Sequence, residues 1–161
     1  MFKFHPLSTL MSALMALIAS VMLAHSETDP IVLSIDHDQK EYHFTLEDMM
    51  AFDPVTFSTK TIWSHGIQEF KGVPLKDLLD SINISEGKML AVAVDDYAVA
   101  IPVSDAVENG PIIAYLQNGA TMSRRSKGPL RIVYPYDGNK RYQTETVYSR
   151  SIWQLTRLLV N

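Results

Sequence analysis

Hydrophobic and polar positions alternate between residues 31 and 46. Ile31, Leu33 and Ile35 fall on one face, and Tyr42, Phe44 and Leu46 on the matching face across "HDQKE". A period of two on both sides of a polar turn predicts a β-hairpin. A two-residue turn would set His37 opposite Tyr42 and His43 opposite Asp36, with the two rings on different faces of the ribbon. "LEDMMAF" predicts a short helical turn that stops at Asp53-Pro54, because the residue before proline is pushed out of helical geometry. "VTFSTKTIW" returns to β-rich composition, with Val55, Phe57, Thr59 and Thr61 on one side, and predicts a strand.

Further along, "FKGVPLKDLLDSI" places Leu75, Leu78, Leu79 and Ile82 at helical spacing behind Pro74, a residue that a first helical turn tolerates. "MLAVAVDDYAVAIPV" reads as two strands bent about Asp95-Asp96. The polar "SDAVEN" predicts a helical segment from Ser104 that ends at Gly110-Pro111. "IIAYLQNG" is apolar and turns at Asn118-Gly119. "LRIVYPY" predicts a strand, "DGNKR" a hairpin turn of the Asp-Gly kind, and "TETVYSRSIWQLTRLLV" a final strand or helix with Trp153, Leu155 and Leu158 inward. Many short strands, a few short helices and no regular strand-helix alternation predict an α+β fold on a mixed or barrel-like sheet.

The first residues stand outside that pattern. Lys3 and His5 lead into an apolar run from Leu7 to Leu23, and Ala24 and Ser26 supply the small residues of a cleavage site. This predicts a secretory signal peptide over 1–26, a mature chain from Glu27, and a secreted or periplasmic protein. An uncleaved membrane anchor is the alternative. Residues 27–161 then suit a single domain, with nothing after Leu23 long and apolar enough to span a membrane.

Composition narrows the chemistry. The chain has no cysteine, so neither disulfides nor thiolate metal ligands are available. A formal net charge of -4, more negative by one once Lys3 is removed, argues against nucleic acid and acidic membrane surfaces as partners. That average hides a gradient. Residues 124–157 hold eight Arg or Lys and two acids, whereas residues 27–123 hold sixteen acids and five lysines. Such asymmetry marks either an anion site or a solvated basic surface that balances an acidic one.

Most catalytic patterns are missing. His5 and His25 lie in the leader, His37 and His43 face apart, and His65 in "WSHGI" has no second histidine at a helical offset, so no metal site is predicted. There is no Gly-x-Ser-x-Gly elbow and no Gly-rich phosphate cradle. Asp95 and Asp96 are adjacent on a strand-like stretch, where neighbours point to opposite faces, and read as a turn. The basic stretch "NGATMSRRSKGPLRIVYP" remains. It brings two turns and several guanidinium groups before a strand that carries Arg131, a pattern able to converge on one oxyanion. The competing reading pairs Arg131 internally with an acid.

Five segments in order, "FKGVPLKDLL", "VDDYAVAIPV", "IIAYLQNGATM", "KGPLRIVYP" and "SRSIWQL", resemble those of the oxidoreductase molybdopterin-binding domain with the sulfite-oxidase-like fold. The resemblance runs from Phe70 to Leu155 and weakly back through "TKTIW". It implies a mixed α+β unit that holds molybdopterin, with a cysteine thiolate on the molybdenum. By position it implies that Asn118, Arg124, Lys127 and Arg131 lie in the pterin-binding segment. Arg150 and Ser151 fall where a late phosphate contact is expected, and Thr61, His65 and Tyr97 would line the pocket.

Three departures accompany the resemblance. The thiolate would lie within Thr59–Trp63, where the chain offers only "TKTIW"; Asp96 replaces the frequent glycine of "DGY"; and "SRRSK" replaces a histidine-bearing approach to Gly-Pro. Two functions follow. One is an exported, non-catalytic module that keeps an anion pocket and either holds a small anionic ligand or docks on a membrane sensor or redox partner. The other is a minimal molybdopterin-dependent oxidoreductase without a cysteine ligand. A purely structural partner domain is a third possibility.

Overall fold

The computed structural model describes residues 29–161, so the expected leader over 1–26, its cleavage after Ser26 and the mature start at Glu27 lie outside the described residues. The hairpin forms as β1 (Ile31–His37) and β2 (Lys40–Thr45), joined by Asp38 and Gln39. Both turn residues have positive φ, 50° and 61°, as the mirror-image turns of tight hairpins require. The register corrects the expected histidine pairings: His37 faces Lys40 and His43 faces Ser34, two residues tighter than anticipated. The two imidazoles still diverge. His43 Nδ1 lies 3.0 Å from Ser34 Oγ, while His37 Nδ1 meets the Val160 carbonyl at 3.2 Å.

Helix α1 (Leu46–Ala51) starts at Thr45, whose hydroxyl accepts from Asp48 N as the Asp48 carboxylate accepts from Thr45 N, a reciprocal capping box. It ends at Phe52, ahead of Asp53-Pro54. Strands β3 (Val55–Lys60) and β4 (Ile67–Pro74) pair antiparallel, and α2 (Leu75–Ser81) follows Pro74, burying Leu75, Leu78 and Leu79. Next come β5 (Lys88–Ala93), β6 (Ala98–Pro102), β7 (Ile112–Gln117), β8 (Ala120–Thr121) and β9 (Arg131–Val133). The C-terminal stretch holds both expected forms, helix α3 (Glu145–Arg150) and strand β10 (Leu155–Val160).

Two five-stranded sheets share one core. The first runs β2-β1-β10-β5-β6, in which only β1 and β10 are parallel; the second runs β3-β4-β7-β8, with β9 also paired to β7. The sheets are mixed and the helices few and short, so the molecule is α+β. Leu33, Ile35, Phe70, Met89, Ile101, Ile132 and Leu158 are fully buried in the single cluster the sheets enclose. Gly72 lies at the register shift where β4 pairs antiparallel with β7, and a Cβ there would come within 2.2 Å of the Ile113 carbonyl. Only glycine fits that approach.

Two local expectations fail. "SDAVEN" forms no helix beyond a single 3-10 turn at Val103–Asp105, because its polar residues have no apolar face to bury. "DGNKR" is not a hairpin turn. After β9 the chain leaves the sheet at Pro135 and passes through two 3-10 turns, Tyr136–Gly138 and Lys140–Tyr142, into α3. The apolar residues of "YPY" belong to the core rather than to a strand: Tyr134 and Tyr136 are buried with rings 6.3 Å apart.

Candidate functional site

Arg131 opens β9 and is held on both sides, by Ala114 of β7 and by a bridge to Trp153. Its side chain points inward, so the residue is only 3% exposed. A buried guanidinium ordinarily has a carboxylate beside it. Here the ion pairs among the described residues are His43–Glu41, Lys76–Asp80 and Arg150–Asp105, and Arg131 has none. Instead the guanidinium carbon lies 5.0 Å from the centre of the Phe70 ring and 5.8 Å from that of Trp153. Its Nε is sealed from solvent without an acceptor. Burial pulls its pKa well below the ordinary arginine value, to about 10.

Lys127 is aimed at the same place by its turn. Ser123 caps the 3-10 turn Arg124–Ser126, and Lys127 follows in the left-handed region at φ 72°. The turn is tied to the C-terminal segment, where Gln154 N donates to the Lys127 carbonyl and Gln154 Nε2 to the Arg124 carbonyl. Gly128 is pressed so close to Met122 that a Cβ would approach its carbonyl to 2.1 Å. The Lys127 ammonium stacks 3.8 Å from the centre of the Trp153 ring. Its pKa is lowered, first by burial and then by the charge of Arg131. Lys127, Arg131 and a third cation, Arg125, thus share one hollow of about 340 Å³, lined also by Thr61, Trp63, Ser64, His65, Gln68, Gln117 and Ser126. No acid lines it.

The far wall is the turn between β3 and β4. Thr61 Oγ1 donates to Ser64 Oγ at 2.9 Å and accepts from Trp63 N, while Thr59 Oγ1 accepts from Asp137 N at 3.1 Å. Both threonines are buried; the Thr61 hydroxyl closes its turn, and that of Thr59 ties β3 to the segment at Asp137. The amides of Gln117 and Asn118 both donate to Gln68 Oε1, and Asn118 Oδ1 accepts from Glu69 N. Gln68 is thereby fixed at the rim.

Of the residues singled out from sequence, Thr61, His65, Lys127 and Arg131 meet in this hollow. Asn118 stands behind it, positioning Gln68. Arg124 contributes its carbonyl to the loop, and its neighbour Arg125 lines the hollow instead. Arg150 is engaged elsewhere: its Nη1 donates to Asp105 Oδ2 at 2.7 Å, and the same oxygen accepts from Tyr134 OH at 2.7 Å. Ser151 is buried, bonded to Tyr136 OH and to the Val147 carbonyl. Tyr97 lines a separate aromatic cleft together with Ser151. The internal ion pair that the competing reading gave Arg131 is absent among the described residues, where its neighbours are aromatic.

Sequence reasoning missed Gln68, Phe70, Gln117, Trp63 and Trp153 as parts of this site. A signal existed for two of them. Gln68 and Phe70 pair with Thr59 and Phe57, the inward face that the alternation through Thr61 had already marked.

The donor set decides what the hollow can hold. Molybdenum of the kind implied by the resemblance takes an ionised sulfur, whereas this site offers hydroxyls already committed to hydrogen bonds, amides, cations and one exposed imidazole. Among the described residues no cluster of three His, Cys, Asp or Glu forms. The residues do not fit a molybdenum centre. They fit an oxyanion, for which Arg131, Lys127 and Arg125 supply the charge.

A family model described as the oxidoreductase molybdopterin binding domain matches residues 19–140. Among solved structures, the chain is similar to the sulfane dehydrogenase SoxCD from Paracoccus pantotrophus, with a TM-score of 0.60 and 19% identity. The match covers 80% of this chain and 37% of that one, so this chain spans well under half of its structural relative. No curated protein matches the sequence.

Proposed function

Given that the chain belongs to the oxidoreductase molybdopterin-binding domain family, we propose that it is a member that has exchanged redox chemistry for binding. On this reading it is a non-catalytic module whose Arg131–Lys127 hollow holds the oxyanion group of a small ligand, such as a phosphorylated pterin. The observation that carries it is Arg131, 97% buried and without a carboxylate, on the wall of the hollow that it shares with Lys127. A charge buried in that way costs stability unless a partner arrives. A bound oxyanion is that partner.

The proposal includes export, resting on the leader-like residues 1–26, and a protein partner such as a membrane sensor or redox protein. In support of a partner, Ile62 and Ile67 beside the hollow are 61% and 68% exposed. The oxidoreductase reading has no such support, since the position expected for the thiolate is occupied by threonines whose hydroxyls are already hydrogen-bonded.

The test is molybdenum analysis and oxidised-pterin fluorescence on protein purified, fully processed, from its own compartment in cells that make the cofactor. Absence of molybdenum is expected. Stoichiometric molybdenum with pterin would overturn the proposal.

A further inference from the structure

On the far side of the Trp63–Trp153 pair lies a second cleft, of about 340 Å³, that the anion reading does not use. Four aromatic residues line it, Trp63, Tyr97, Tyr148 and Trp153. Trp63 forms its corner, meeting Trp153 at a centroid distance of 5.3 Å and 86°, and Tyr148 at 5.9 Å and 84°. These edge-to-face contacts fix the three rings at the wall of the cleft. The charge of the lining has a single sign: Asp95 is its one ionisable acid, and no lysine, arginine or histidine is among its residues.

Asp95 is exposed and has no cationic partner among the described residues. Its carboxylate accepts from Tyr97 N at 3.3 Å, which ties the acid to the most exposed of the aromatics. An apolar ligand would need no acid at the mouth, and an anion would meet both the carboxylate and the negative ring faces. A cation with an apolar shell satisfies all of them. The rings of this corner already act in that way, since the Lys127 ammonium stacks on Trp153.

We infer that this aromatic cleft is a binding site for a small alkylammonium ion, with Trp63, Tyr97, Tyr148 and Trp153 as the cage and Asp95 as the counter-charge. The cleft shares Trp63 with the anion hollow and meets it at Trp153, so the two sites are told apart by the charge of the probe each takes.

The test titrates the purified chain with tetramethylammonium at constant ionic strength, following tryptophan fluorescence and calorimetric heat. Tert-butanol serves as the neutral probe of similar size. Saturable binding of the cation is expected, with tert-butanol weaker by about tenfold or more, since only the charge engages the ring faces. Tyr97→Ala, at an exposed position that leaves the core intact, is expected to weaken the cation by about tenfold, and Asp95→Asn by about threefold. No saturable binding of tetramethylammonium, equal binding of tert-butanol, or undiminished affinity in Tyr97→Ala would each overturn the inference.

Discussion

The guanidinium of Arg131 rests 5.0 Å above the ring of Phe70, where a buried arginine would ordinarily find a carboxylate. Aromatic faces hold the charge in place but leave its donors unfilled. The arrangement therefore predicts a trade between stability and binding. Arg131→Met keeps an unbranched apolar stem and removes the buried charge, so the unliganded variant should be as stable as wild type or more stable by about 1–3 kcal/mol. Chemical denaturation checks this, and a variant less stable by that amount would contradict it.

The same position carries a pH signature. Because the folded pKa of Arg131 is depressed to about 10, below the ordinary arginine value, the cost of burying its charge is full below pH 10 and is relieved as pH rises above it. The stability gap between wild type and Arg131→Met should be widest near neutrality and close above pH 10. Parallel denaturation midpoints at pH 7 and pH 10.5 measure it.

Lys127 predicts a second pH dependence, in binding. Burial and the neighbouring Arg131 lower its pKa, so it loses its proton below the ordinary lysine range. The protonated form attracts an anion. Affinity for sulfate, whose own charge is constant there, should fall as pH rises through that transition. Lys127→Gln should weaken sulfate by about tenfold or more at neutral pH, in line with the loss of a charge-assisted contact, and should flatten the profile.

Arg150 predicts the contrary behaviour. Its bond to Asp105 shares an acceptor with Tyr134 OH, so Arg150→Ala leaves a half-buried carboxylate with one donor fewer. The cost should be about 1.5–3 kcal/mol of stability. Sulfate affinity should stay within about twofold of wild type, since less than 0.5 kcal/mol separates such values.

Gly72→Ala tests the β4–β7 pairing behind the site. The added methyl would collide with backbone, the Ile113 carbonyl, which no rotamer relieves. Destabilisation of about 1–3 kcal/mol is expected from such overpacking, read as a lowered denaturation midpoint.

How far these features could be read in advance depends on the range of the interactions behind them. The hairpin, α1, α2 and the β5–β6 pair rest on local periodicity and turn chemistry, and they form at the expected places. Even Asp96, which replaces a glycine, takes the left-handed φ of 64° that the turn demands. The stretch after β9 was less legible, because the rings of Tyr134 and Tyr136 are placed by distant packing and the Asp-Gly dipeptide resembles a hairpin turn. In the site, Arg131 and Lys127 stood out as charges near a Gly-Pro turn. Phe70 and Trp153 did not, because an aromatic residue in a strand pattern is ordinarily core. The partner of Arg150 was invisible for the same reason, since Asp105 lies far from it in sequence.

The most direct test of the central claim is calorimetric titration of inorganic phosphate into the wild-type chain and into Arg131→Met at pH 7. The account predicts saturable one-to-one binding to wild type and its loss in a variant that remains folded. Equal binding to both proteins, or none to wild type, would contradict an anion site built on Arg131.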